Sequence, residues 1–242
     1  MKTARPLVTI LALLMLGLPL AAHAAKYQEI DTKGVKAMMD AGGVLVVNPL
    51  TPVEFADEHI AGSVNIPIER LKQGLPADKS KPIIFYCLGE KCVYSWRAAE
   101  DAADLGYPNL YAYRGGIPAW KAAGYPTAAT DKLPEVKVPM ISTEQLAAKL
   151  KSDDMVLVDI NADEDADKFW VDAPKRMHIP LLELDQKYKS IPKGKETVIM
   201  CLKGHRGPTA ARFLAAKGYK DVKIVDGGIQ QWVLEGRPVK KK

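Results

Sequence analysis

Runs of four or five contiguous apolar residues recur along this chain, at Val44-Leu45-Val46-Val47, 82–86, 110–113, 155–159 and Thr197-Val198-Ile199-Met200. Between them apolar positions fall three and four apart. A short run that is apolar without alternation suits a strand covered on both faces, and the wider spacing suits a helix burying one face. The pattern predicts strands at these five runs and a short strand over 62–67, to which Met177-His178-Ile179-Pro180 corresponds. It predicts helices over 32–40, 95–105 and 117–123 in the first half, and over 142–151, 163–169 and 209–217 in the second, with a helical turn over 68–72. Another helix begins at Thr51-Pro52-Val53-Glu54, which supplies an N-cap residue, a proline at the first helical position and an acidic first turn. Strands alternating with helices imply an α/β fold, a mostly parallel sheet with helices on both faces.

The pattern occurs twice. Leu105-Gly106-Tyr107, Arg114-Gly115-Gly116-Ile117-Pro118-Ala119-Trp120 and Gly124-Tyr125-Pro126 return as Lys217-Gly218-Tyr219, Asp226-Gly227-Gly228-Ile229-Gln230-Gln231-Trp232 and Gly236-Arg237-Pro238. The offset is constant at 112 (218 − 106, 227 − 115, 232 − 120). Two similar domains of about 100 residues follow. The segment over 127–139 is rich in Pro, Lys and Asp and lacks an apolar period, so it reads as the link. The division expected is a first domain over 25–128, a linker over 129–139 and a second domain over 140–242.

Composition adds the compartment. With 48% hydrophobic and 26% charged residues the chain is an ordinary globular one, and a net charge of +5, scattered apart from Lys240-Lys241-Lys242, gives no reason to expect nucleic acid. Residues 1–24 have the zones of an export signal: Lys2 and Arg5, an apolar run over 7–20, and Ala22-His23-Ala24 as a small-x-small cleavage site. That run of about 14 residues, broken by Gly17 and Pro19, is short of the roughly 20 that a spanning helix needs. The expectation is an exported protein, periplasmic in a Gram-negative source, with no membrane insertion after cleavage.

Candidate chemistry rests on three cysteines, Cys87, Cys92 and Cys201. Cys87 and Cys201 fall at the carboxyl ends of predicted strands, where open α/β sheets place their sites. Cys201 opens the stretch Cys201-Leu202-Lys203-Gly204-His205-Arg206, between a strand and a helix. Unpaired backbone N–H groups and the positive end of a helix dipole favour a thiolate there, and Lys203, His205 and Arg206 add positive charge. The stretch invites an anion. In an oxidising compartment three cysteines leave one pair and one free thiol, or three thiols kept reduced. No His/Cys spacing supports zinc, and Asp163-Glu164-Asp165-Ala166-Asp167 lacks the glycine and final glutamate of a calcium loop, so no metal or cofactor is expected. His59 reads as a structural hydrogen-bonding residue, Trp120 and Trp232 as core anchors, and the two Gly-Gly pairs as tight turns.

Taken together, a strand ending in cysteine, a short loop ending in arginine, a helix, then Gly-Gly-Ile-x-x-Trp, with Glu58-His59-Ile60-Ala61-Gly62-Ser63-Val64-Asn65-Ile66-Pro67 upstream, resembles the rhodanese (thiosulfate sulfurtransferase) superfamily. The resemblance covers both repeats. It implies Cys201 as nucleophile, the N–H groups of Leu202, Lys203, Gly204, His205 and Arg206 as an anion cradle, and Lys203 and Arg206 on the oxyanion end of the donor. The six-residue loop from Cys201 to Arg206 fits a sulfane sulfur, where phosphatase relatives use one residue more. Implied partners are a small sulfur-containing anion such as thiosulfate as donor and a thiol, cyanide or a periplasmic protein as acceptor. The first repeat departs: Cys87 and Cys201 are offset by 114 against 112 for the flanking motifs, so its loop is two residues longer. Cys92-x4-Arg97 repeats the six-residue spacing. Cys92 is then a working thiol with Cys87 as its resolving partner and Arg97 on the anion, or the two form a disulfide, or both are inert. The family's Asp-x-Arg after the first strand is replaced by Asn48-Pro49-Leu50 and Asp159-Ile160-Asn161. Three readings follow: a sulfurtransferase, a persulfide carrier without turnover, and a thiol-disulfide protein centred on Cys87 and Cys92.

Overall fold

The computed structural model describes residues 25–152 and 154–242. The expected export signal over 1–24 lies outside them. The first half runs β1 (Gln28–Glu29), α1 (Thr32–Ala41), β2 (Leu45–Asn48), α2 (Pro52–Asp57), β3 (His59–Ile60), β4 (Val64–Asn65), α3 (Leu71–Gly74), β5 (Ile83–Tyr86), α4 (Tyr94–Asp104), β6 (Leu110–Tyr113), α5 (Gly116–Ala122) and β7 (Thr127–Ala128). The second runs β8 (Met140–Ile141), α6 (Thr143–Lys149), β9 (Met155–Asp159), α7 (Asp163–Lys168), β10 (Arg176–His178), α8 (Leu184–Lys187), β11 (Glu196–Met200), α9 (Gly207–Ala216), β12 (Val222–Val225) and α10 (Gly228–Leu234). Helix and strand positions follow the apolar pattern to within a residue or two, the usual uncertainty of an end.

Each half builds a five-stranded parallel sheet, in the order β1-β6-β5-β2-β4 and β10-β9-β11-β12-β8. Successive strand residues face opposite layers, which is why the runs are apolar throughout. Ile83 and Phe85 pack with Ala98, Ala99 and Ala102 of α4, while Ile84 and Tyr86 pack with Val35 of α1 and Trp120 of α5. In the second half Val156, Val158 and Ile199 lie against Ala210, Phe213 and Leu214 of α9, and Leu157, Val198 and Met200 lie against Leu146 of α6 and Trp232 of α10. Each fully buried branched side chain of this kind contributes about 1.5–3 kcal/mol. Helices therefore cover both faces of both sheets, as an α/β fold requires.

The expected linker is not a free tether. Its approach, β7, pairs antiparallel with β3, and the amides of Thr130 and Asp131 both donate to Ala56 O at 3.0 and 3.1 Å. Leu133, 2% exposed, enters the apolar layer of the second domain, joined there by Val53 from α2 of the first. Leu133, Val136 and Val138 carry no regular period, so the pattern could not show that this segment packs. Among the described residues no helix is long and apolar enough to cross a membrane.

Candidate active site

Cys201 follows β11 directly and opens the turn that ends at α9. Because β9 and β12 flank β11 on both edges and its last four residues are buried, the carboxyl end of this strand is a fixed point. Cys201 is the free thiol among the described cysteines, is 4% exposed, and belongs to the apolar layer beneath α9. Gly204 turns the chain with φ +82°.

The second Gly-Gly pair lies directly against this turn. Ile229 N donates to Cys201 O at 2.9 Å and Gln230 N donates to Leu202 O at 3.0 Å. Gly228 adopts φ +60°, and a Cβ there would sit 2.1 Å from Cys201 O and 2.8 Å from Gly204 N. The pair is thus needed for close approach as well as for turning. Among the described residues, no backbone carbonyl accepts from the amides of 202–206. A run of free donors leading into the N-terminus of the ten-residue α9 is an anion-binding arrangement.

The side chains divide. Lys203 and His205 are exposed, and Leu202 packs into the layer under α10. Arg206 points to the other domain: its Nη2 donates to Glu54 Oε2 at 2.9 Å, its Nη1 to the Tyr94 hydroxyl at 3.4 Å, and its guanidinium lies 5.4 Å from the centre of the Tyr94 ring. Glu54, 7% exposed, is held ready by Thr51, whose amide and hydroxyl donate to the same Oε2 at 3.1 and 2.7 Å. Burial opposes the charge on Arg206, but Glu54, Tyr94 and Glu69 together prevail and raise the guanidinium above its ordinary pKa. Its Nε is buried without a partner among the described residues. The arginine expected on the donor's oxyanion end is therefore engaged by domain 1. The sequence showed an N-cap residue and an acidic first turn at Thr51-Pro52-Val53-Glu54, which the structure makes a capping box, but nothing local signals that this glutamate also serves an arginine 152 residues away.

In the first domain Cys87 and Cys92 are joined by a disulfide, with Cα atoms 6.2 Å apart. Cys87 is 1% exposed and Cys92 half-buried. Ile117 N donates to Cys87 O at 3.1 Å, the counterpart of the Ile229 bond, and Cys92 N closes a turn onto Gly89 O at 2.9 Å. Arg97 stands exposed, one turn inside α4, its amide donating to Val93 O. The spacing Cys92-x4-Arg97 does not reproduce the second-domain turn, since the residue at the repeat offset from Arg206 is Tyr94 (206 − 94 = 112). Helix α4, not the loop, claims Arg97.

Supporting histidines behave as structural groups. His59 Nδ1 bonds Phe55 O at 2.8 Å and its ring stacks on Phe55 at 3.9 Å, while His178 Nε2 bonds Asn161 O at 3.0 Å. Asp159, at the end of β9, accepts from Arg176 Nη2 at 2.7 Å and from the Asn161 side chain at 2.8 Å. A salt link thus exists after this strand, with an arginine from β10 that the sequence pattern did not single out.

A family model of the rhodanese-like domain matches residues 31–123 and again 142–235. A sulfurtransferase of Allochromatium vinosum is 30% identical over 100 residues, 41% of this chain and 92% of that protein. The thiosulfate sulfurtransferase GlpE of Coxiella burnetii is 24% identical over 107 residues, 44% of this chain and 97% of that one. Among solved structures, the thiosulfate sulfurtransferase of Pseudomonas aeruginosa overlays with a TM-score of 0.43 at 19% identity, over 88% of this chain and 43% of that one.

Proposed function

This chain belongs to the rhodanese family, with two rhodanese-like domains in tandem, and on that premise we propose that it is an exported sulfurtransferase that carries sulfane sulfur as a persulfide on Cys201. The observation that carries the proposal is a free thiol at the carboxyl end of a central strand, opening a six-residue turn whose amides are left unbonded at a helix N-terminus.

The chemistry has two steps. The Cys201 thiolate attacks the outer sulfur of thiosulfate; the new S–S bond forms as the old one breaks, and sulfite leaves with the electron pair. A thiolate or cyanide then attacks the outer sulfur of the persulfide, taking it as a new persulfide or as thiocyanate and returning the thiolate. The amides of 202–206 stabilise the anionic persulfide, with Lys203 adding charge beside it. A periplasmic protein thiol is a further acceptor in this proposal.

Incubation with thiosulfate is expected to add the mass of one sulfur atom to the wild-type chain, and cyanide to remove it as thiocyanate. Cys201→Ser should lose both, with turnover falling by roughly a thousandfold or more. Full activity in that variant would move the site to Cys87 or Cys92. Sulfur uptake without turnover would identify a carrier. Export is tested by the mature mass, expected to begin at Ala25 in the periplasmic fraction.

The disulfide supports a second reading confined to the first domain, a thiol-disulfide pair. It predicts a linkage that titrates at a mild potential in the folded protein; resistance to reduction until unfolding would make it a staple.

A further inference from the structure

The first domain reaches the Cys201 turn through Glu54 of α2 and Tyr94 of α4, and Tyr94 adjoins the disulfide. Tyr94 begins α4, two residues after Cys92, so it lies within about 7 Å of chain from the bonded sulfur's residue. Cys87 in turn is fixed at the end of β5 and by the Ile117 amide. The disulfide therefore ties the start of α4 to the centre of the first sheet, and Tyr94 presents its ring and hydroxyl to Arg206, the last residue of the turn. Tyr94 and Arg206 are repeat counterparts, 112 apart, so each domain presents the residue at the same repeat position to the other (206 − 94). Glu54 completes the hold on the guanidinium.

We propose that Glu54 and Tyr94 are positioning residues for the Cys201 turn, and that the Cys87–Cys92 disulfide makes the hold of Tyr94 on Arg206 responsive to redox state. The proposal rests on the assignment of Cys201 as the sulfur-bearing thiol. One end of the turn is fixed by β11 and the other runs into α9, where Ala210 N donates to Arg206 O at 3.3 Å; the Arg206 side chain adds a hold from outside the domain. Reduction by an external dithiol transfers two electrons to the disulfide: the Cys87–Cys92 bond breaks, two thiols form, and the dithiol leaves as its own disulfide. Opening the bond restores freedom to residues 88–93. Within that segment the Cys92 amide bond to Gly89 O and the bond from Arg97 N to Val93 O at the start of α4 remain. Tyr94 then no longer holds Arg206 in register, and the turn opens over a thiol that is otherwise 4% exposed.

The test follows the thiol rather than turnover. The mature chain is equilibrated in dithiol/disulfide buffers of stepped potential, pulsed with iodoacetamide, and alkylation of the Cys201 peptide is quantified by mass spectrometry. The Cys201 rate is expected to rise roughly tenfold on reduction, with the midpoint of the Cys87/Cys92 couple. Tyr94→Ala should label fast at every potential, Tyr94→Phe, which keeps the ring, should restore the step, and the double variant Cys87→Ser/Cys92→Ser should label fast without reductant. A rate that is flat across the midpoint overturns the proposal, as does a step that persists unchanged in Tyr94→Ala. If the step follows the couple but thiosulfate adds no sulfur, the anchor stands and the sulfurtransferase reading fails.

Discussion

Gly228 sets how closely the Cys201 turn can lie on the helix beneath it. A methyl group at this position meets Cys201 O at 2.1 Å, and the left-handed φ of +60° adds its own cost. Gly228→Ala is expected to lose about 3 kcal/mol in urea unfolding and to impair sulfur uptake. Gly236, just past α10, is the control, with φ +69° but nothing within 4 Å of an added Cβ; Gly236→Ala should lose only about 1 kcal/mol and keep full uptake. The contrast separates backbone strain from collision with the turn. Arg206 shows the opposite case, a residue whose role is set by something distant. Its spacing from Cys201 was legible, but its partners Glu54 and Tyr94 belong to another domain and leave no mark on the residues around it.

At the scale of elements, Glu196 at the start of β11 joins Lys149 from α6 at 2.7 Å and Lys223 from β12 at 2.8 Å. Burial alone would raise its carboxyl, but the two lysines prevail and hold it below its ordinary value of 4.5. A carboxylate depressed in the folded state gives stability that is present above the ordinary value and lost as pH falls below it. Glu196→Gln should therefore cost about 1 kcal/mol at pH 7, both lysines being partly solvated, and the gap to wild type should narrow as pH falls below the ordinary 4.5 and close once it passes the depressed folded-state value, in urea titrations. The long elements could be read because their apolar period repeats over several residues. Two-residue strands such as β1, β3, β7 and β8 are too short to show a period, and β7 hid at the start of a segment whose composition reads as a link. Their pairing follows from the sheets already formed.

For the whole molecule, the docking of the two domains is held by more than the Arg206 contact. Arg212 of α9 donates to Asp57 of α2 at 3.0 Å and to the carbonyls of Leu133 and Pro134. Val53 and Leu133 lie buried in the second domain's layer. Arg212→Ala is expected to cost about 2 kcal/mol and to split one calorimetric transition into two. The duplication was plain in the sequence; the asymmetry of the interface was not, because it arises from single side chains. The disulfide also orders events in time. Cys87 and Cys92 emerge close together during synthesis and can join before Cys201, 109 residues later, arrives to compete (201 − 92). Vectorial synthesis thereby keeps the third thiol free without any element devoted to protecting it. A fully reduced chain refolded from denaturant has no such order, so it should yield mixed species in which Cys201 is captured by Cys87 or Cys92.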